Sequence, residues 1–286
     1  MNIDFRDLDL LVLNVGYATH NGDWNWEDVK SPFARLYLVT EGHARLKIDS
    51  RLYDLTPGHL YLIPSFVRHT DICDSIFAHF YIHIYEDSNS DFRLFEDWEF
   101  QVEKDAEELD ILLFKRLCEL NPSMHLLQSD PVSYDNNSTL LENIQRNKAG
   151  MFCNKVESRG IVYQLVSRFL KDAGPKVEVN DDRVQKVLSF IRKNLDRKIE
   201  LSELAEMSCL SKDHFIRIFK KETGESPTNY IISRKLERAM LLLATEDSSV
   251  KSIAFNLGFE DHSYFNRLFK SRIGMTPQQY REKKKR

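Results

Sequence analysis

The chain has 286 residues, 42% apolar and 29% charged, with a net charge of −4. That length suits two domains, each with a buried core, and no apolar run reaches the ~18–20 residues that a membrane-spanning helix needs. The first ten residues, MNIDFRDLDL, lack the basic-then-apolar layout of a secretion signal, so a cytoplasmic location is expected.

The charge is unevenly shared. Residues 181–286 carry 22 Lys and Arg against 15 Asp and Glu, a net of +7, and residues 1–180 carry 18 against 29, a net of −11. An acidic half joined to a basic half points to two tasks, the basic one facing a polyanion. Cys73, Cys118, Cys153 and Cys209 stand far apart, with no C-x-x-C pair. They are expected as free thiols in a reducing compartment, and no zinc site is expected from them.

In chain order, residues 33–85 show short apolar runs separated by Glu41-Gly42, Asp49-Ser50, Pro57-Gly58 and Pro64-Ser65. Strands every 8–10 residues mean an antiparallel sandwich or barrel. In the strand FAHFYIHI, alternation puts His79, Tyr81 and His83 on one face and Phe80, Ile82 and Ile84 on the other. Two readings stay open. The polar-aromatic face lines a pocket for a small polar ligand, or Phe80, Ile82 and Ile84 fill a closed core and the histidines face outward. Glu41 and His43, beside the turn, are further ligand candidates. His69, His79 and His83 have types suited to metal, but no H-x-H accompanies them and EGHARL offers only His43, so no metal and no cofactor is expected.

From about residue 103 the texture turns helical: EELDILLFKRLCEL, STLLENIQR, then ESRGIVYQLVSRFLKDA. Ile111, Leu112, Phe114 and Lys115, and later Ile161, Val162, Leu165 and Phe169, mark packed amphipathic helices. LKDAGPKVEVND (170–181) ends the last of them and reads as a linker.

The basic half contains one sentence twice. FIRIFKKETGESPTNY (215–230) and FNRLFKSRIGMTPQQY (265–280) align without gaps, with seven identities in sixteen positions. Ser211 and Asp261 are N-cap residues, and Phe215, Ile218, Phe219 and Phe265, Leu268, Phe269 are buried stripes. Gly224 and Gly274 end the helices, and Ser226-Pro227 and Thr276-Pro277 restart them. Upstream, LSELAEMSCL, with Ser202 as its N-cap, and VKSIAFNLGF each supply a short helix and a turn containing Cys209 or Gly258. Ala205 and Ala254 allow the paired helices to cross closely. Each copy is therefore a helix-turn-helix. Its leftover stripe, Asp213, Ile216, Arg217 and Lys220 or Ser263, Asn266, Arg267 and Lys270, carries side chains that read base edges. Between the copies, residues 229–245 form one connecting helix of ~16 residues, about 24 Å. It is expected to hold two recognition helices one DNA turn apart, ~34 Å.

These stretches, with RKLERAMLLL, Gly258-Phe259 and the final P-x-x-Y-R (Pro277 to Arg281), strongly resemble the DNA-binding domain of the arabinose-regulator (AraC/XylS) family of bacterial transcription regulators. The resemblance implies base contacts from Asp213, Ile216 and Arg217, and from His262, Ser263, Asn266 and Arg267, with Lys212, Lys220 and Lys270 beside them on the DNA. The tail KKKR (283–286) is expected to be a disordered, phosphate-attracted end. The acidic half is similar to the cupin-like jelly-roll sensor domain of that family through Glu41-Gly42, Y-D-L-x-P-G (Tyr53 to Gly58) and L-I-P-x-x-x-x-H (Leu62 to His69). It departs at His59, where the family usually shows an acidic residue. The resemblance implies an effector pocket with His79 and Tyr81 facing inward, and a helix pair that makes a homodimer.

The expected architecture is multidomain. An N-terminal antiparallel β jelly-roll, cupin-like, with flanking α-helices occupies 1–172 (barrel about 10–100, helices about 103–172). A linker spans 173–180. An all-α tandem helix-turn-helix domain occupies 181–286, with motifs at 201–224 and 250–274. The expected function is a sequence-specific DNA-binding transcription regulator, not an enzyme, controlled by a small polar effector such as a sugar or other polar metabolite. Its expected partners are promoter DNA, that effector, a second copy of the chain and RNA polymerase, with no membrane. Two alternatives remain: a metal-dependent cupin enzyme fused to the same module, and a regulator without an effector.

Overall fold

The computed structural model describes residues 8–87, 93–176, 179–245 and 248–283. Residues 177 and 178 of the expected linker and the KKKR tail beyond Lys283 lie outside the described residues. Contacts divide the chain into two units, with residues up to Gly174 in the first and those from Pro175 in the second, apart from the short stretch around residue 90.

In the first unit, short apolar runs between turn residues become eight consecutive strands. They are β1 (Leu10–Asn21), β2 (Trp26–Val29), β3 (Ala34–Gly42), β4 (Ala44–Ile48), β5 (Arg51–Leu55), β6 (His59–Ile63), β7 (His69–Ile72) and β8 (Ile76–Glu86). A short helix α1 (Leu94–Asp97) and two short strands, β9 (Trp98–Glu99) and β10 (Glu103–Asp105), follow. Two sheets result, ordered β1-β8-β3-β6-β10 and β2-β7-β4-β5, with antiparallel neighbours. One core joins their facing sides: Tyr37, Tyr61, Phe77 and Tyr81 from the larger sheet pack with Leu46, Ile48 and Leu55 from the smaller.

The outer face of the larger sheet is equally apolar. Leu36, Ile82 and Ile84 are fully buried there, and the Phe80 ring lies 6.0 Å from Phe114. Phe114 belongs to α2 (Glu108–Leu120), which with α3 (Pro131–Tyr134), α4 (Asn137–Ala149) and α5 (Phe152–Leu170) completes the unit. Two buried faces explain why β8 reads as a nearly continuous apolar run and not as a simple alternation. Phe114, Ile161, Val162, Leu165 and Phe169 are buried inside the unit.

The second unit is helical: α6 (Asp182–Lys193), α7 (Leu201–Met207), α8 (Lys212–Thr223), α9 (Pro227–Thr245), α10 (Val250–Asn256), α11 (His262–Ile273) and α12 (Pro277–Lys283). The sequence repeat returns as a repeat in packing. Phe215 and Phe219 lie 5.6 Å apart, and Phe219 and Tyr230 lie 5.7 Å apart. Phe265–Phe269 and Phe269–Tyr280 are both 5.7 Å. All four phenylalanines are fully buried, so truncating any one to alanine costs about 3–5 kcal/mol. The connecting helix is longer than the 16 residues expected. Pro227 is its first residue, so α9 runs 19 residues and absorbs the restart after Gly224.

Candidate DNA-binding face and sensor interior

Each helix-turn-helix is built the same way. The turn after the short helix places Cys209 and Gly258 at φ 53° and φ 64°. In each, the next residue reaches back to an alanine: Leu210 N–H donates to Ala205 O and Phe259 N–H to Ala254 O, both at 3.0 Å. That is a left-handed helix stop, and buried Ala205 and Ala254 sit at it. Asp261 caps α11 by accepting from Ser263 N–H at 2.7 Å. Ser211 occupies the same position before α8 without a hydroxyl cap bond. Ser202 is not a cap at all: α7 already begins at Leu201, with Glu200 before it. Gly224 and Gly274 end the second helices at φ 80° and φ 86°.

This scaffold aims equivalent faces outward. Lys212, Asp213, Arg217 and Lys220 on α8 are exposed, and Ile216 is half-buried. On α11, Ser263, Arg267 and Lys270 are exposed, and His262 and Asn266 are half-buried and 3.4 Å apart through Nε2 and Nδ2. Among the described residues, none of Arg217, Lys220, Arg267 and Lys270 is in an ion pair, whereas Arg183, Arg197, Lys198 and Arg234 of the same unit are. Both repeated helices therefore carry cations without ion pairs at equivalent positions. Unpaired arginines on an exposed helix face suit phosphate and base-edge contacts.

In the first unit, register decides which residues share the interior. Tyr81 opposes Gly16 and Tyr37, His79 opposes Ala18 and Val39, and His83 opposes Asn14 and Arg35. The face carrying His79, Tyr81 and His83 therefore points into the space between the sheets, and all three are buried. Phe80, Ile82 and Ile84 turn to the helices. Rings fill much of the interior: His79 lies 4.7 Å from Phe77, 5.0 Å from Tyr37, 5.4 Å from Trp24 and 5.5 Å from His20. The Tyr81 hydroxyl oxygen accepts from Leu126 N–H at 2.7 Å.

Glu41 and His43 do not join this face. The register slips between Val39 and Glu41, which puts Glu41 opposite Ala78 instead of on the inward side. A bulge of this kind re-aims every following side chain. Glu41 and His43 are exposed, and His43 Nε2 lies 4.0 Å from Asp54.

Inward residues that the sequence reading passed over are Arg35 and Asp71. Arg35 is 2% exposed, donates to Ser31 Oγ at 2.8 Å, and stacks 4.9 Å from the Phe33 ring centre. Ser31 in turn donates to Asp135. Burial lifts the Asp71 carboxyl to about 7 against the pull of Arg35. Burial, helped by Arg35, holds His69 down at about 3, and burial with His20 does the same to His79. The imidazoles are therefore neutral donors and acceptors near pH 7. Arg35 Nε, Asp71 Oδ1, His69 Nε2 and His79 Nδ1 are buried with no hydrogen-bond partner among the described protein atoms. Each orphan of this kind costs about 1–3 kcal/mol. The available signal was Arg35 itself, the lone charge in the apolar run FARLYLV. Among the described residues, no group of three His, Cys, Asp or Glu side chains is placed to hold a metal ion.

Two family models match the chain. Residues 8–127 match the AraC-like ligand binding domain and residues 204–283 match a helix-turn-helix domain. The chain belongs to the AraC/XylS family. Similar members include the MmsAB operon regulatory protein of Pseudomonas aeruginosa, 36% identical over 95 residues, which are 33% of this chain and 31% of that protein. The transcriptional activator Btr of Bacillus subtilis is 30% identical over 113 residues, 40% of this chain and 21% of Btr. The chain thus spans about a third or less of the length of either relative. A full-length likeness exists to the transcriptional activator RhaS of Mannheimia succiniciproducens, 24% identical over 258 residues and 87% of each chain. These AraC/XylS relatives are transcription regulators. No helix among the described residues is long and apolar enough to cross a membrane.

Proposed function

We propose that this AraC/XylS chain is a sequence-specific DNA-binding transcription regulator, not an enzyme, and that a small polar molecule bound between its two β-sheets controls it. The observation that carries the DNA reading is the repeated face: Arg217 and Lys220 on α8 recur as Arg267 and Lys270 on α11, exposed and without ion pairs among the described residues. Two such faces on one chain read two segments of one DNA site. Base contacts fall to Asp213, Ile216 and Arg217, and to His262, Ser263, Asn266 and Arg267. Lys212, Lys220 and Lys270 hold phosphates.

The effector reading rests on the buried orphans. Arg35 offers a donor, Asp71 an acceptor, and neutral His69 and His79 either role. That set matches a hydroxyl-rich ligand such as a sugar or related polar metabolite, which donates and accepts at each oxygen. The ligand controls DNA binding only if it favours one arrangement of the protein over another. Leu109 and Leu112 on α2 and Val156 on α5 remain about half exposed, which supports a second copy docking on these helices in a homodimer. The regulator acts in the cytoplasm and contacts RNA polymerase at its promoters.

The deciding experiment is selection from a random DNA pool, with non-specific competitor, by the full chain. Enrichment of a two-part motif with its parts about one helical turn apart supports the reading. Retention without sequence enrichment, by the full chain and by residues 175–286 alike, overturns it.

A further inference from the structure

The two helix-turn-helix halves meet directly. The loop between α6 and α7 belongs to the first half, and the turn between α10 and α11 belongs to the second. They touch at Arg197 and Gly258. A Cβ on residue 258 would lie 2.2 Å from the Arg197 carbonyl carbon and 2.5 Å from its Cα and oxygen. Only glycine permits backbones to approach this closely.

Lys235 of α9 lies in the same junction. It is 4% exposed. Its Nζ donates to Arg197 O at 2.7 Å and to Leu257 O at 2.6 Å, one carbonyl from each half. The Phe259 ring centre is 5.3 Å away. No carboxylate is in ion-pair contact with it among the described residues, although Asp196 attracts it from farther off. A buried ammonium is costly unless polar groups replace its water, and here two carbonyls and a ring do so. A leucine or methionine at this point in α9 fills the space without that cost. It does not bind both halves.

Both ends of the contact are anchored. Arg197 bonds Glu203 of α7 at 2.7 Å and 3.1 Å and stacks 5.1 Å from Phe190 of α6. Across the junction, Lys198 reaches Glu260 at 3.1 Å. Leu257 caps α10 by donating to Ala254 O and Ile253 O. Movement of one half against the other must break these contacts.

We propose that Lys235 is a positioning residue: by tying Arg197 O to Leu257 O it fixes α8 relative to α11 and so sets the spacer length that the DNA site must have. The proposal rests on the reading that both helices enter DNA. It separates two jobs that a sequence comparison merges, since α8 and α11 choose the bases and the junction chooses the distance between them.

The test uses the full chain and a DNA library carrying the two selected half-elements with the spacer varied by one and two base pairs. The readout is the ratio of affinity for the preferred spacer to affinity for its neighbours, beside affinity for each half-element alone. Lys235→Met is expected to lower that ratio about tenfold while changing half-element affinity less than about twofold. Glu260→Lys, a surface change that sets like charges against each other at the junction, is expected to lower the ratio in the same direction, and it serves if circular dichroism shows Lys235→Met unfolded. Folded variants that keep the wild-type ratio overturn the proposal. Arg217→Ala and Arg267→Ala are measured in parallel: if these bind as wild type, the recognition-helix reading fails, whatever Lys235 does.

Discussion

Arg217 and Arg267 are structural equivalents: each follows a fully buried phenylalanine by two residues, Phe215 or Phe265, and each stands exposed without an ion pair among the described residues. The buried ring fixes the helix rotation, so the arginine direction is set by packing and not by any contact of its own. Replacing either by alanine is therefore expected to leave the fold intact and to weaken specific DNA binding by roughly 1–3 kcal/mol. Lys220→Ala and Lys270→Ala are expected to weaken all sequences alike and to lower the salt slope by about one each. Binding titrations from low to moderate salt, on the selected site and on scrambled DNA, distinguish the two classes. Arginine variants that lose specific and scrambled binding equally contradict the base-contact role.

The turns of the two copies differ by one residue type at a demanding position. Cys209 holds φ 53° where Gly258 holds φ 64°. A left-handed conformation costs a side chain about 1–2 kcal/mol, so Cys209→Gly removes strain and is expected to add about 0.5–1 kcal/mol. Gly258→Ala drives a Cβ into the Arg197 backbone, which has no flexible end to move, and is expected to cost about 2–4 kcal/mol. All three tryptophans, Trp24, Trp26 and Trp98, belong to the first unit. Tryptophan fluorescence in urea therefore follows the first unit alone, and the part of the helical circular dichroism transition that does not coincide with it reports the second unit. Equal stability of the two variants contradicts the assignment.

The tandem motif was legible because its determinants are local. Cap, buried phenylalanines, stop glycine and N1 proline sit at fixed offsets, and no distant strand has to be known. The inward phase of His79, Tyr81 and His83 followed from alternation along one strand. What stayed open was which face met which neighbour, because β8 is buried on both sides by groups far away in sequence. Glu41 and His43 left the inward face through a bulge at Thr40, which the neighbouring Gly42 marked as a turn but not as a change of face. Arg35 and Asp71 were missed because their neighbours, Ser31 and Asp135 beside Arg35 and His69 at 3.9 Å from Asp71, come together only when β3, β7 and the α3 segment fold on one another.

The sensor interior carries a pH dependence of two opposite signs. His69 and His79 are held at about 3 and His83 well below its ordinary value, all chiefly by burial. A group lowered on folding gives stability that is present above its unfolded value, ~6.5 here, and is lost as pH falls. Burial raises Asp71 to about 7 and Glu86 to about 8. A group raised on folding gives stability that is present below its unfolded value, ~4, and is lost as pH rises through its folded one. Between ~4 and ~6.5 the lowered histidines, with His20 making a fourth, outnumber the two raised acids, so stability rises with pH there. Stability is therefore expected to peak near neutrality and to fall on both sides. Tryptophan fluorescence during heating reports this unit alone, and an unfolding midpoint that climbs steadily from pH 5 to pH 9 contradicts it.

His79 offers the sharpest separation of ligand response from stability. Its ring sits among Phe77, Tyr37, Trp24 and His20, and its buried Nδ1 has no partner among the described protein atoms. Among rings alone, such a nitrogen destabilises the fold, and an apolar replacement of similar volume relieves that cost. His79→Leu is therefore expected to raise the tryptophan-reported stability by about 1 kcal/mol, or a few degrees in unfolding midpoint. If the nitrogen instead serves a polar effector, the same change removes the response. A library of sugars and polar metabolites, screened by thermal shift, is expected to contain a compound that stabilises the wild type by about 2.7 kcal/mol at a hundredfold excess over its dissociation constant. That shift is expected to shrink severalfold in His79→Leu. A variant that is less stable than wild type shows that His79 is a satisfied part of the core. A variant that is more stable but keeps the full ligand shift places the effector away from this ring.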